Sequence, residues 1–550
     1  MHIIANYFHT IRHLRPIQIY GRIWSKLYKP RPDLRPAPPL RVRTGAWTAP
    51  ARREPSMTGP GALDLLNRRW ELPAYGGWND PCHEKPWLYH LHYFDDLNAR
   101  GSEQRTHWHV PFLQRWIQEN PPGHGNGWEP YPLSLRIVNW IKWTLAGNRL
   151  PEIAVHSLAV QARYLGGCLE YRVMGNHLLA NAKALAFAGL FFEGDEATRW
   201  LDKGLRILEN ELREQILADG GHFERSPMYH SIILEDLLDL YNLAHTYPNS
   251  LPPRWASLPR QWAHTIQKMR VWLKVMCHPD GQIGLFNDAA WDDAPSPLEL
   301  ETYAHHLGLG TVPNPAEGLT HLRSSGYVRL QRGPAVALLD VGEMGPDYLL
   351  GHAHADTLTF ELSLFGARVI VNTGTSTYSA GPERQWQRST AAHNTVEIDG
   401  QDSAEMWGAF RVARRARPIE LVVSEEGESE LWVRCAHNGY RRLSDPIVHR
   451  RVWRLSEDML QIQDDVEGNF SVALARFHFH PRVVPLETAS YPSASVRLKA
   501  PDYVLTCNTQ GAECSMQQSV FHPRFGVSIP NFCLNVTLKS KTALYQFSWR

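Results

Sequence analysis

The spacing of apolar residues changes near the middle of the chain. Between about residues 85 and 310, apolar side chains recur every three or four positions, which is the period of an amphipathic helix. Three sets show it well: Leu133, Ile137, Trp140 and Ile141; Leu178, Ala182, Leu185 and Gly189; Ile233, Leu237, Leu240 and Tyr241. Successive amphipathic helices with short breaks at Pro or Gly predict a helical barrel or toroid.

Beyond about residue 320 the apolar period falls to two, which is typical of half-buried strands. A Pro- and Asp-rich stretch between residues 290 and 320 separates the helical pattern from the strand pattern. Alternation follows in residues 326–332, 450–455, 459–463 and 471–480. The pattern predicts an all-β second half made of stacked antiparallel sheets.

The chain is therefore predicted to have three parts. Residues 1–60 are rich in Arg and Pro, show no sustained helical period, and are expected to form an extended lead-in along the surface. Residues 61–315 are expected to form the helical domain and residues 316–550 the β-sandwich domain. A chain of 550 residues is too long for one ordinary core, which agrees with this division.

Bulk composition excludes several classes of protein. The 57 Lys and Arg nearly balance the 56 Asp and Glu, so no global field attracts nucleic acid, and an acidic partner needs local cationic clusters. The seven cysteines lack any CxxC spacing, so neither a disulfide framework nor a Cys-based zinc site is expected. The longest apolar run, Ala184 to Phe192, is too short to span a bilayer. The first residues lack the apolar core of a signal peptide, so the default expectation is cytoplasmic, with the periplasm or cell envelope as the alternative.

The segment from Gly351 to Asp356 reads Gly-His-Ala-His-Ala-Asp and leads into a strand-like alternation. If strand pairing begins early, His352, His354 and Asp356 share one face with the following apolar residues. Polar groups on an inward face need a metal, hydrogen bonds or a substrate to satisfy them. The segment is therefore the leading candidate for chemistry.

A second polar cluster comprises Arg388, His393 and the nearby Asn372. His393 and Asn372 could converge with His354 as a set of two histidines and an amide that fits zinc, and hydrogen-bonded histidines at strand ends are the alternative. In the helical half, Asn176 begins an apolar helical run, so it is either an N-cap or a functional amide. The remaining candidates are Trp128, Arg136, Asn139, His177, Glu224, Tyr229 and His230.

Four of these segments together resemble the heparinase II/III-like polysaccharide lyases. They are Gly175-Asn-His-Leu-Leu-Ala-Asn-Ala-Lys, Phe223-Glu-Arg-Ser-Pro-Met-Tyr-His, His352-Ala-His-Ala-Asp and Arg388-Ser-Thr-Ala-Ala-His-Asn-Thr. The resemblance covers the chain from about residue 85 onward. It implies an α+β multidomain fold, an incomplete (α/α) toroid followed by an antiparallel β-sandwich domain, with the active cleft between them.

The resemblance also implies β-elimination of a uronate-containing acidic polysaccharide. Asn176 and His352 would neutralise the uronate carboxylate, and Tyr229 would act as base on C5, as acid on the departing O4, or both in turn. Use of a tyrosine as base requires a lowered pKa, for which His352 or His230 could supply the field. The implied substrate contacts are Trp128, Arg136, Asn139, His177, Glu224, His230 and Arg388.

The metal ligands implied by the resemblance are His354, Asn372 and His393, with Asp356 orienting an imidazole. The ion would be structural, with zinc favoured over calcium, and no organic cofactor is implied. Family members with a described zinc site have Asp where this chain has Asn372, so a weaker site is expected. The resemblance assigns no oligomeric state.

Other functions fit parts of the same sequence. A glycoside hydrolase on a similar toroid would pair Glu224 with Asp219 or Asp288, leaving the histidine clusters without a role. A metal-dependent hydrolase is suggested by His-x-His-x-Asp, although its usual βα context is lacking. A non-catalytic polysaccharide-binding or exopolysaccharide-assembly protein is the alternative outside the enzymes.

Overall fold

The structure is a computed structural model that describes residues 2–424, 430–486 and 494–549. The first half is helical and the second half consists of antiparallel sheets, as the apolar periods predict. The helices are α1 (His2–Ile11), α2 (Pro16–Leu27), α3 (Lys85–Tyr93), α4 (Thr106–Glu119), α5 (Pro130–Leu145), α6 (Glu152–Gly167), α7 (Gly175–Phe191), α8 (Asp195–Gln215), α9 (Pro227–Thr246), α10 (Leu258–Val275), α11 (Pro297–His306) and α12 (Pro382–Gln387).

The strands form three larger sheets and two small ribbons. They are β1 (Ala62–Leu65), β2 (Arg68–Glu71), β3 (Gly318–Leu322), β4 (Tyr327–Arg332), β5 (Ala335–Asp340), β6 (Phe360–Leu364), β7 (Ala367–Ile370), β8 (Val396–Ile398), β9 (Met406–Trp407), β10 (Arg411–Val412), β11 (Pro418–Val423), β12 (Leu431–His437), β13 (Val448–Leu455), β14 (Met459–Glu467), β15 (Ala473–His478), β16 (Val484–Pro485), β17 (Ser495–Lys499), β18 (Val504–Gln510), β19 (Ala512–Phe521), β20 (Ile529–Leu538) and β21 (Thr542–Trp549).

Helix α7 forms the centre of the incomplete toroid. Nearly all of its side chains are buried, and it packs against α5, α8 and α9. A helix that is apolar on every side belongs in a core. At Gly189, a Cβ atom would lie 2.5 Å from the backbone nitrogen of Leu201 in α8, so glycine is what allows these two helices to touch. The three predicted helical sets lie on α5, α7 and α9.

The second half is layered from antiparallel sheets, as predicted. One sheet has the order β3-β4-β5-β6-β7, a second β19-β20-β15-β8, and the largest β11-β12-β13-β14-β21-β18-β17-β16. Along β13 and β14 buried and less buried residues alternate, which is the observed counterpart of the sequence pattern. Trp453 pairs with Ile462 across these strands, and both are fully buried in the sandwich core.

The prediction for residues 1–60 is wrong in its first part. Residues 2–27 form α1 and α2, because Ile3, Tyr7 and Ile11 recur at four-residue steps; the Arg- and Pro-rich stretch that follows obscured this period. The later residues do run extended over the toroid. Backbone nitrogens of Arg41 and Gly45 donate to carbonyl oxygens of α7 and α9, at 2.8 and 3.0 Å.

The part of the chain that the structure describes contains neither a membrane-spanning helix nor a disulfide. No helix there is long and apolar enough to cross a membrane. None of the seven cysteines, all of which are described, forms a disulfide.

Candidate active site

A cavity of about 940 Å³ lies where the toroid, the N-terminal helices and the sheets meet. Asn176 and Tyr229 reach it from the toroid, and His352 reaches it from the β half. The three residues predicted to be catalytic are therefore brought together from segments far apart in the chain. Its wall also includes His177, Glu224, Tyr131, Tyr378 and Phe410.

Asn176 lies in the first turn of α7, but its side chain does not cap the helix. Instead its Nδ2 donates to Glu224 Oε1 at 3.1 Å, and its backbone nitrogen donates to the same oxygen at 3.2 Å. Gly175 makes the approach possible, because its φ is +54° and a Cβ there would lie 2.7 Å from that oxygen. The functional reading of Asn176 is favoured, since the amide keeps one N–H for a ligand.

Tyr229 lies in the first turn of α9. Ser226 caps the helix by accepting a hydrogen bond from the Tyr229 backbone nitrogen at 3.2 Å. The Tyr229 hydroxyl is 3.2 Å from the hydroxyl of Tyr378, and its ring lies 3.9 Å from the ring of His352. Burial raises the pKa of Tyr229 well above its usual value, so the resting side chain is a neutral phenol.

Asp288 is the buried junction behind the cleft. Its carboxylate accepts from His352 Nδ1 at 2.9 Å and from His354 Nε2 at 2.8 Å, and Arg384 Nη2 donates to it at 2.7 Å. Burial opposes its ionisation, but Arg384 and the two histidines hold the pKa of Asp288 well below its usual range. One carboxylate thus fixes two imidazoles, and Nε2 of His352 is the nitrogen left for the cleft.

The expectation that His352, His354 and Asp356 share a strand face is wrong. The segment before β6 is irregular, and the strand begins only at Phe360, after Leu358 adopts a φ of +68°. Asp356 does not orient an imidazole either; its Oδ2 accepts from the Asn287 backbone nitrogen at 3.3 Å. Burial and the nearby Asp340 raise the pKa of Asp356 well above its usual value. Asp288 performs the orienting role instead.

His354, His393 and Asn372 do come together, as predicted, in a buried row. His354 Nδ1 lies 3.2 Å from His393 Nε2, close to the separation of about 3.3 Å for two nitrogens around a tetrahedral zinc. Asn372 Oδ1, however, accepts from His393 Nδ1 at 3.0 Å, so this amide supports a histidine rather than facing the gap. Among the described residues, no three His, Cys, Asp or Glu side chains form a group able to hold a metal. The donor set is thus incomplete for a structural zinc site.

Three predicted substrate contacts lie inside the toroid wall, and their assignment is corrected. Trp128 Nε1 donates to the carbonyl oxygen of Asn120 at 3.2 Å. Arg136 is fully buried and donates to the carbonyl oxygen of Gly127 at 2.7 Å. Asn139 Nδ2 donates to the Tyr93 carbonyl oxygen at 2.9 Å. All three side chains are buried, and none of them lines the cavity.

His230 and Arg388 are also buried, so their assignment as substrate contacts is corrected for the same reason. His230 stacks on Trp272 at 4.2 Å, and burial lowers its pKa to about 3, so it carries no charge to act on Tyr229. Arg388 donates from Nε and Nη2 to the carbonyl oxygen of Ala353, at 3.2 and 2.9 Å. Because Ala353 separates His352 from His354, Arg388 holds the loop that presents both histidines.

The positions of Asp219 and Asp288 argue against the two carboxylate pairs, each with Glu224, that a glycoside hydrolase would use. Asp219 Oδ2 accepts from the backbone and hydroxyl of Ser325, at 2.7 and 2.9 Å, and Asp219 does not line the cavity. Asp288 is held ionised by Arg384, so it has no proton to give a leaving group. Neither Asp219 nor Asp288 is therefore suited to act with Glu224 in that chemistry.

Three residues of the candidate site are not predicted by the sequence in these positions: Asp288 as a partner of the histidines, Arg384 and Tyr378. Asp288 follows a Gly-Leu-Phe-Asn sequence and carries no motif that links it to histidines more than 60 positions later. Arg384 lies inside the short helix α12, and Tyr378 lies in a Thr- and Ser-rich loop. No periodicity marks such loop residues, so only the folded chain places them together.

Family models match most of the chain. The model described as "Heparinase II/III N-terminus" matches residues 92–306, and the one described as "Heparinase II/III-like, C-terminal" matches residues 314–549. A heparin-sulfate lyase of Pedobacter heparinus is 26% identical over 372 residues, covering 61% of this chain and 52% of that protein. One from Bacteroides thetaiotaomicron is 26% identical over 421 residues, covering 67% of this chain and 56% of that protein. The chain thus spans about half the length of these lyases.

The chain is also similar to one further relative and to one solved structure. FtsZ-localized protein C of Caulobacter vibrioides is 25% identical over 422 residues, covering 71% of this chain and 69% of that protein; its name states a location and no reaction. A crystal structure of heparinase III superimposes with a TM-score of 0.69 and 20% identity, covering 87% of this chain and 80% of that chain. The superposition supports the fold, a toroid followed by sheets.

Proposed function

Because this chain belongs to the heparinase II/III-like family, we propose that it is a polysaccharide lyase that cleaves a uronate-containing acidic polysaccharide by β-elimination. The observation that carries the proposal is the convergence of Asn176, Tyr229 and His352 on one cavity. An amide, a phenol and an imidazole are the groups that such an elimination needs. Neither a nucleophile nor a reactive carboxylate pair is required.

The first task is to make the C5 proton of the uronate acidic. Negative charge develops on the uronate carboxylate as that proton leaves, and a fixed N–H beside it lowers the barrier. Asn176 is suited to this role, since Glu224 holds its amide and one N–H remains. His177 also lies at the cavity, with Nδ1 donating to Glu170 Oε2 at 3.1 Å.

The second task is to move two protons. Since Tyr229 rests as a neutral phenol, we assign it as the acid that protonates O4. His352 Nε2 would accept the C5 proton, with Asp288 on Nδ1 and Glu224 Oε2 3.6 Å from Nε2 stabilising the imidazolium. The C5–H and C4–O4 bonds break and a C4=C5 double bond forms. Exchange with water then restores both side chains.

Incubation with acidic polymers tests the reaction class. We expect new ultraviolet absorbance from a double bond conjugated to the uronate carboxylate when the protein meets its substrate among alginate, heparan sulfate, hyaluronan and bacterial exopolysaccharides. A neutral glucan serves as the control. Reducing ends released without that absorbance would point to hydrolysis, and binding without either product would point to a non-catalytic polysaccharide-binding protein.

We further propose that the pair of His354 and His393 holds a divalent cation weakly. When bound, such an ion would fix the loop of His352 against the sheets. The two facing nitrogens supply half of a tetrahedral set, and the amide of Asn372 supports His393 without adding charge. The catalytic steps above do not depend on this ion.

Asn372→Asp is expected to raise zinc affinity by about tenfold or more, because a carboxylate would replace the amide behind His393. Zinc content of the purified full chain and competition with a zinc chelator would measure the change. His478→Asn, which alters a different buried histidine that bonds Ala391, is the control and should leave zinc affinity unchanged. Equal zinc affinity in Asn372→Asp and the unaltered protein would contradict the proposal.

A further inference from the structure

Helices α1 and α2 carry their apolar side chains on the side that faces solvent. Ile4 is 76% exposed, Trp24 61% and Leu27 78%. The exposed residues recur every four positions and form one stripe on each helix: Ile3, Ile4, Tyr7, Phe8 and Ile11 on α1, and Ile19, Tyr20, Ile23, Trp24 and Leu27 on α2. A surface helix of a globular protein normally turns its apolar stripe inward, so the orientation here is reversed.

The opposite side of the pair is attached to the protein by polar groups. Thr10 Oγ1 donates to the carbonyl oxygen of Val412 at 3.1 Å. Gln18 is only 1% exposed, and its Nε2 donates to the carbonyl oxygen of Tyr348 at 3.1 Å. Arg15 Nη1 donates to Glu214 at 3.1 Å and its guanidinium lies over the ring of Tyr348. With its polar side satisfied by the protein, the pair leaves most of its apolar side for a further partner, although Tyr7 packs edge-on against Trp407 at 4.7 Å.

The charge of this segment identifies the kind of partner. Residues 1–32 contain six Lys and Arg and no Asp or Glu, whereas the rest of the chain has 51 Lys and Arg against 56 Asp and Glu. Arg12, Arg22 and Lys26 are exposed beside the apolar stripe. Trp24 and Tyr28 stack at 5.3 Å on the outer surface. Exposed aliphatic and aromatic side chains flanked by cations are typical of helices that lie in the interface of an anionic bilayer.

We propose that α1 and α2 bind the surface of an anionic lipid bilayer without crossing it. The stripe would enter the boundary between headgroups and acyl chains, and the flanking cations would contact anionic headgroups. Tyr7 and Ile11 also line the cavity that holds Tyr229, so the bound bilayer would lie beside the mouth of the cleft. Lipid binding does not depend on the proposed lyase reaction and is measured without it.

Flotation of the full chain with lipid vesicles tests the proposal. We expect binding to phosphatidylcholine vesicles that contain about one quarter phosphatidylglycerol, and little binding to phosphatidylcholine alone. Raising NaCl from about 0.05 to about 0.5 M should weaken binding, since salt screens the cations. Absence of binding to the anionic vesicles, or equal binding to both vesicle types at all salt concentrations, would overturn the proposal.

Matched variants separate the stripe from other exposed apolar residues. Leu27→Glu is expected to lower the partition onto anionic vesicles about tenfold. Leu298→Glu replaces a leucine with a similar exposure of 73% on α11 and should leave the partition unchanged. Arg22→Glu should lower binding to anionic vesicles and reduce its salt dependence. Thermal unfolding of each variant checks that the fold persists, and equal losses for Leu27→Glu and Leu298→Glu would count against the stripe.

Sedimentation equilibrium tests the competing occupant, a second copy of the chain. The proposal predicts the same mass for the unaltered protein and Leu27→Glu. A dimer that Leu27→Glu dissociates, in a protein that does not bind anionic vesicles, would assign the stripe to self-association and overturn lipid binding.

Discussion

Tyr229→Phe is expected to lower turnover about 1,000-fold while the affinity for the polymer stays unchanged. The substitution removes the hydroxyl that would protonate O4 and keeps the ring that lies 3.9 Å from the ring of His352. Because the phenol acts in the transition state and not in binding, the loss should fall on kcat and not on KM. Initial rates from the absorbance of the unsaturated product, with polymer affinity measured by calorimetry, would show this split.

Tyr378→Phe is the matched control for this prediction. It removes a hydroxyl only 3.2 Å away that we do not assign to proton transfer. Its expected loss is about tenfold, because Tyr378 only holds the Tyr229 hydroxyl in place. Turnover that survives in Tyr229→Phe but disappears in Tyr378→Phe would exchange the two roles, and weaker polymer binding in Tyr229→Phe would make Tyr229 a binding residue.

Asp288→Asn is expected to lower turnover about 100-fold, because the neutral amide no longer stabilises a positive His352 and no longer fixes its tautomer. Asp288→Ala should also destabilise the fold, by about 3–5 kcal/mol, since it leaves the buried Arg384 without its carboxylate. Denaturant unfolding and product absorbance, measured on the same preparations, separate the two effects.

Asp464 supplies the matched control for Asp288. It is equally buried, and it accepts from His449 at 2.8 Å and from Arg451 Nη2 at 2.7 Å inside the sandwich. Asp464→Asn should therefore reduce stability while the turnover of the folded fraction stays unchanged. If Asp464→Asn and Asp288→Asn lost turnover to the same degree, the effect of Asp288 would be structural and its orienting role would be wrong.

The sequence was informative wherever an apolar stripe faces a core. The stripes of α5, α7 and α9 and the alternation of β13 and β14 are burial patterns, so they predicted the toroid and the sheets. The convergence of Asn176, Tyr229 and His352 was predicted by resemblance and not by spacing. The local sequence pattern indicates only that each of these three residues lies near the start of a helix or strand, or in a loop.

Predictions from the sequence pattern are wrong at other positions, and each has a physical reason. The stripes of α1 and α2 face solvent, and composition favoured an extended segment there. The resemblance implies that Arg136 and Arg388 contact substrate, yet both guanidinium groups donate to backbone carbonyl oxygens in the interior. No local pattern predicts the orienting role of Asp288, since its partnership with His352 spans 64 positions and only tertiary contact creates it.

Residues from both halves of the chain line the cavity. Asn176 lies on helix α7 and Tyr229 belongs to the toroid core, whereas His352 lies in the connection between β5 and β6 and is held by Asp288. Catalytic activity would then depend on how the helical half and the β half pack against each other, and not on the fold of either half alone. A small rotation between the two halves would separate proton donor from proton acceptor with every helix and strand intact. Activity would thus report the alignment of the halves more sensitively than any measure of secondary structure.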